Sequence, residues 1–129
     1  MAHILVVDDV DVVRLVISKL LTRAGHSVEQ SDSSNHALAR VAIRAPDAVV
    51  TDLWMPESDG LDLIRALQVG YPGVAVVAMT GGSPRHSQES SLVHARDAGV
   101  VQVLMKPIDR AELVNAVALA LDGVARLKA

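Results

Sequence analysis

The strongest constraint on this chain is an alternation. Short apolar runs take turns with longer segments in which apolar residues recur at helical spacing, and the pattern repeats five times. "HILVVDD", "HSVEQ", "DAVVTD", "VAVVAMT" and "VQVLMK" are of strand length, and three of them are continuous in Val, Ile, Leu or Ala, as strands buried on both faces should be. Between and after them lie the helical segments. From Asp11, the residues Val13, Val16, Ile17, Leu20 and Leu21 form one stripe, and Gly25 stands where a helix stops. "SSNHALARVAIRA" opens on Ser caps and is ended by Pro46. "LDLIRALQVG", part of "SQESSLVHARDAG" and "DRAELVNAVALALDGVARL" supply the others. Repeated βα units with such crossovers build a parallel sheet covered by helices. "HSVEQ" is the most polar run, which suits an edge. No internal repeat, low-complexity tract or linker interrupts the pattern, so one α/β domain is expected over residues 1–129. The longest structureless stretch is 80–90, "TGGSPRHSQES".

Composition removes several kinds of function. The sequence has no cysteine, which excludes disulfides and thiolate metal sites. A formal charge of −3 offers no clustered basic face for direct nucleic-acid binding. No apolar run is long enough to span a membrane, and "MAHILVVDD" enters a strand without signal-peptide architecture, so a cytoplasmic protein is expected. With one Trp, one Tyr and no Phe, the core must be aliphatic.

Ligands of open parallel sheets bind outside the carboxyl ends of the strands. The first strand ends in Asp8-Asp9, the third in Asp52, the fourth in Thr80 and the fifth in Lys106. Singly, each has a plain reading: Asp after a strand is commonly a turn former or cap, as Asp11 is expected to be, a terminal Thr reflects strand propensity, and a terminal Lys is solvated. Together they describe one pocket. Carboxylates about 4 Å apart repel by roughly 4 kcal/mol per pair at an intermediate dielectric, and one Lys cannot neutralise three of them. Either protons are held, or a hard divalent cation is, and oxygen-only donors favour Mg²⁺. An Asp beside such a metal can attack phosphorus to form an acyl phosphate, with Lys106 and Thr80 gripping the phosphoryl oxygens.

The set "LVVDD", "VVTDLWMPESDG", "VAMTG" and "VLMKP", in that order, resembles the receiver domain of response regulators in two-component signalling, along the whole chain. The resemblance implies a flavodoxin-like (βα)5 fold with a five-stranded parallel sheet of order 2-1-3-4-5. It implies Asp52 as phosphoacceptor; Asp8, Asp9, Asp52 and the backbone carbonyl of Trp54 as Mg²⁺ ligands; Thr80 as the switch hydroxyl; and Lys106 as the partner of the phosphoryl group. It also implies a cis Lys106-Pro107 peptide, and a loop shaped by Pro56, Asp59 and Gly60. The protein would not be an enzyme beyond its own phosphorylation and dephosphorylation.

A rival reading uses the same vocabulary. Asp9, Asp11 and Val13 spell D-x-D-x-V, the opening of haloacid-dehalogenase-type phosphatases, with Asp9 as nucleophile and Asp11 as general acid. It lacks a suitable acidic pair beyond the Lys, because only Asp109, Glu112 and Asp122 remain, and it has no use for Asp52 and its loop. Neither G-x-G-x-x-G nor G-x-x-x-x-G-K-[ST] occurs. A receiver-like interaction module that is never phosphorylated would be expected to have lost Asp52, Thr80 or Lys106.

Two departures from the receiver pattern stand out. Val103 occupies a position, three before the Lys, where receivers commonly carry an aromatic that moves with the Thr, which leaves the loop and helix after Thr80 as a route for the signal. Trp54, two after the acceptor, and the minimal Gly82, two after the Thr, border the phosphate's solvent side, where the indole is expected to shield the acyl phosphate. The expected partners are a sensor histidine kinase or phosphotransfer protein as donor, and an output protein or a phosphorylation-linked homodimer on the last helix, where Val114, Val117 and Leu121 form one face and Leu113, Ala116 and Leu127 lie off it. Val12 and Leu15 on the first helix are donor-docking candidates. The His residues, including His86 and His94, are expected at the surface.

Overall fold

A computed structural model describes residues 1–55, 60–81, 87–100 and 102–128. Pro56, Asp59 and residues 82–86 of the long Gly- and Ser-rich stretch, Gly82 and His86 among them, lie outside them. The elements run β1 (His3–Val7), α1 (Asp11–Arg23), β2 (Ser27–Ser31), α2 (Ser34–Ile43), β3 (Ala48–Asp52), α3 (Gly60–Gly70), β4 (Ala75–Thr80), α4 (Gln88–Asp97), β5 (Gln102–Met105) and α5 (Arg110–Lys128). All strand pairs are parallel and the order is β2-β1-β3-β4-β5. The polar run "HSVEQ" is indeed an edge. β5 is the other edge, although it carries the Lys.

Alternation along the strands divides the core between the two faces of the sheet. Ile4, Val6, Val50, Val77 and Met79 pack against Ile17 and Leu21 of α1 and Leu113, Ala116 and Val117 of α5. Leu5, Val7 and Val49 point the other way, toward Ala37 and Val41 of α2 and Leu63 and Leu67 of α3. A third cluster, around Leu53, Ile64 and Ala78, receives Ala95 of α4 and Ala98 just beyond its end. Each fully buried Leu or Ile contributes about 1.5–3 kcal/mol, so the sheet and its large-residue helices carry most of the stability. Ser33 caps α2 by accepting from the His36 backbone N–H.

Two helix readings are corrected. Val16 is 50% exposed. The buried stripe of α1 centres on Ile17, flanked by Val13, Leu20 and Leu21, and Val16 lies about 100° around the helix from that centre, beyond its rim. On α5, Leu113 and Ala116 are core residues rather than residues off the face, because the helix packs deeply along Leu113, Ala116 and Val117 with Ala120, Leu121 and Val124 behind them. Val12 and Leu15 are exposed, at 70% and 48%. Among the described residues no helix is long and apolar enough to cross a membrane.

Candidate functional site

The register of the sheet assembles the site. Val7 pairs with Thr51, which sets Asp8 beside Asp52; Asp52 pairs with Met79, one residue before Thr80; and Thr80 pairs with Met105, one residue before Lys106. The polar residue that ends each strand therefore stands next to its neighbour at one end of the sheet. Asp8 is wholly buried, and its backbone N–H donates to the Ser31 carbonyl at 3.2 Å. Its Oδ1 accepts the Val10 N–H at 2.9 Å and its Oδ2 accepts Lys106 Nζ at 3.0 Å. Lys106 Nζ lies 3.4 Å from Asp52 Oδ2, so one ammonium bridges two carboxylates. The Lys106 backbone N–H donates to the carbonyl of Thr80, itself fully buried, at 2.8 Å. The Lys106-Pro107 peptide is cis.

Asp8, Asp9 and Asp52 present carboxylate oxygens within 4.8 Å of one another. Asp9 is the most open of the three. Three carboxylates against one ammonium leave the pocket negative, and its oxygen-only donor set fits a hard divalent cation. The electrostatics carry the same imprint. Burial pushes the Asp52 carboxyl up from 3.8 to about 6; Lys106 opposes the shift and the Asp8 charge adds to it. Burial works against the charge on Lys106, yet Asp52 and Asp8 together outweigh it and raise its proton affinity.

Close backbone packing holds Asp52 in place. The Leu53 N–H donates to the Met79 carbonyl at 3.0 Å, and the Gly60 N–H donates to the Leu53 carbonyl at 3.1 Å. A Cβ on Gly60 would sit 2.0 Å from the Asp52 carbonyl oxygen, so only glycine allows α3 to start there. Trp54 stands two residues beyond Asp52, and its backbone N–H favours the charged carboxylate. Its indole is turned to α4, where Nε1 donates to Ser91 Oγ at 2.5 Å and the ring meets His94 edge-on, with centroids 5.7 Å apart. His94 is thus half-buried against Trp54 rather than free at the surface. Sequence reading passed over Ser91, although Ser91, Ala95 and Ala98 recur at helical spacing and are the buried residues along α4 and its C-cap.

A family model for the response regulator receiver domain matches residues 4–118. The chain belongs to that family. Similar proteins include the DNA-binding transcriptional regulator NtrC of Azospirillum brasilense, 33% identical over 122 residues that make up 95% of this chain and 24% of that protein. NtrC of Klebsiella pneumoniae is 34% identical over 84% of this chain and 22% of its own length. This receiver domain therefore spans about a quarter of the length of these curated relatives. Among solved structures, the receiver domain of NtrX from Brucella abortus superposes with a TM-score of 0.84 at 30% identity, covering 92% of this chain and 98% of that one. A receiver domain protein from Clostridium thermocellum gives 0.87 at 29% identity, covering 98% and 99%. The receiver's place is in two-component response regulation, and the phosphatase alternative finds no support: the Asp11 side chain is 86% exposed and paired with Arg14 at 2.6 Å, apart from the carboxylate cluster.

Proposed function

We propose that this receiver accepts a phosphoryl group on Asp52 from a His-phosphorylated donor, either a sensor histidine kinase or a phosphotransfer protein. The observation that carries the reading is Lys106 Nζ, 3.0 Å from Asp8 and 3.4 Å from Asp52, beside the three-carboxylate cluster. In the transfer, an Asp52 carboxylate oxygen forms the new P–O bond as the donor's P–N bond breaks, and the departing imidazole takes up a proton. Asp8, Asp9 and Asp52, with the Trp54 carbonyl, would hold Mg²⁺, which when bound supplies positive charge against the phosphoryl oxygens. Lys106 is close enough to exchange its carboxylate contacts for a phosphoryl oxygen, and the Thr80 hydroxyl donates to another. Hydrolysis returns the carboxylate and inorganic phosphate, so the domain acts only on its own phosphoryl group.

The whole of 1–129 acts as one cytoplasmic receiver whose phosphorylation switches a protein-interaction face toward an output partner or a second copy. Intact mass after incubation with acetyl phosphate tests the chemistry. A phosphoryl adduct that requires Mg²⁺ and is missing in Asp52→Asn is the expected result. No adduct, together with no beryllofluoride complex, would leave an interaction module and overturn the reading.

A further inference from the structure

β2 has a neighbour in the sheet on one side only. The Ser27 N–H donates to the Ala2 carbonyl and the Ser31 carbonyl accepts the Asp8 N–H, so Ser27, Glu29 and Ser31 aim their backbone groups at β1. Successive residues of a strand aim opposite ways, which leaves the N–H and C=O of Val28 and Gln30 directed at the open edge. Those same two residues line a groove of about 340 Å³ between β2 and α1, and Leu15, Lys19 and Arg23 line its helical wall. Spaced four apart, these three form one row along α1. Among the described residues no carboxylate lines the groove, and neither Lys19 nor Arg23 is in an ion pair. The other cation of α1 is committed elsewhere: Arg14 pairs with Asp11 at 2.6 Å, donates to the Asp8 carbonyl at 2.7 Å and holds Gln30 Oε1 at 3.2 Å. Glu29, the acid of β2, is turned to the other face of the sheet, where it meets Arg40 of α2 at 3.2 Å. In a chain of net charge −3, Lys19 and Arg23 thus make a local positive site beside an open strand edge.

We propose that this groove binds an extended acidic peptide segment of a partner protein, added to β2 as a further strand. Main-chain hydrogen bonds to Val28 and Gln30 hold the segment, and the row on α1 reads its side chains. The pattern that row reads follows from two repeats. Four residues of helix advance about 6 Å and two residues of strand about 6.6 Å, so alternate peptide residues keep step with Leu15, Lys19 and Arg23. α1 returns from the end of β1 to the start of the parallel β2, so its row lies along any strand added there. The matching segment reads acid-x-acid-x-apolar when parallel to β2, and the reverse when antiparallel. Its acids meet Arg23 and Lys19, and its apolar side chain covers Leu15, which is 48% exposed. Single exposed ion pairs are weak, so selectivity comes from the match of spacing rather than from charge alone.

Amide NMR spectra of the isotope-labelled protein test the proposal with two synthetic peptides. Leu-Thr-Glu-Thr-Glu-Thr-Leu carries the pattern in both directions. Its isomer Leu-Thr-Thr-Glu-Glu-Thr-Leu has the same charge, but its acids fall on opposite faces of a strand. At about 1 mM the first peptide should shift the amides of β2, Lys19 and Arg23 and slow hydrogen exchange at Val28 and Gln30. The isomer, with one ion pair fewer, should bind roughly 1.5- to fivefold more weakly. Lys19→Ala and Arg23→Ala, at exposed positions that leave the fold intact, should each cost the same factor, and the double variant roughly two- to 25-fold. Higher salt should weaken binding of the first peptide. An isomer that binds as tightly, or a double variant that binds as well as the wild type, overturns the proposal, since neither outcome needs the row on α1. So does the absence of any shift in β2 at about 1 mM peptide. Sedimentation of the protein alone completes the test: a dimer with Val28 and Gln30 already protected from exchange would give the edge to a second copy and overturn the peptide assignment.

Discussion

Replacing Asp52 by Asn should make the metal-free protein more stable at neutral pH. The residue is 6% exposed, and its carboxyl is shifted from 3.8 to about 6, chiefly by burial. Its folded-state proton affinity is raised, so between those values the folded protein keeps a proton that the unfolded chain has released. Stability therefore falls as pH rises from about 4 to about 6, and the whole penalty persists above that. The gap corresponds to about 3 kcal/mol as an upper value. Asn preserves the shape without the charge, and Asp8 still pairs with Lys106 at 3.0 Å. Urea unfolding in EDTA at about pH 8 should show the variant more stable by up to about 3 kcal/mol, and at about pH 4 the advantage should nearly vanish. Mg²⁺ should narrow the gap from the other side, because a cation that binds only the folded state stabilises the wild type by mass action. A stability difference of the same size at both pH values would refute the reasoning, since it would show that ionisation of Asp52 is not its source.

The neighbouring cation should show the opposite sign: Lys106→Met strands the buried Asp8 and Asp52 together and should lose about 3–5 kcal/mol in EDTA, partly recovered with Mg²⁺, in thermal melts. Gly60→Ala drives a Cβ to within 2.0 Å of the Asp52 carbonyl oxygen, where backbone must move, and should cost at least about 2 kcal/mol and abolish beryllofluoride binding measured by calorimetry. Leu15→Ser, at a site 48% exposed, should change stability by less than about 0.5 kcal/mol while slowing phosphoryl transfer from a cognate His donor in a rapid-quench assay.

The sequence announced the pocket more clearly than it announced the helices that surround it, for physical reasons. A carboxylate at the mouth of an apolar strand breaks a strong pattern, and parallel order then forces Asp8, Asp52, Thr80 and Lys106 to one end. The alternation of runs also made the strand order 2-1-3-4-5 readable through family resemblance, and the topology bears it out. Helix faces were read less well. Val16 and Ile17 are both apolar, and spacing alone does not say which of two adjacent rows meets the sheet. On α5 the apolar residues nearly encircle the helix, so the stripe through Leu113, Ala116 and Val117 emerged only from packing. Ser91 escaped notice because a buried serine leaves no apolar signature. Its role depends on an indole contributed from 37 residues away.

The pairing of Asp8 with Lys106 spans 98 positions of a 129-residue sequence. Its consequence is one of timing. As the polypeptide leaves the ribosome, β1 and β3 can align long before β5 exists, and they bring Asp8, Asp9 and Asp52 together without Lys106. Addition of the last strand, itself at the sheet's edge, is then also the event that balances the charge, so closure of the fold and maturation of the pocket are one step. Non-local contacts of this kind form late because loop closure must precede them. The pocket should accordingly be among the last parts of the domain to be built.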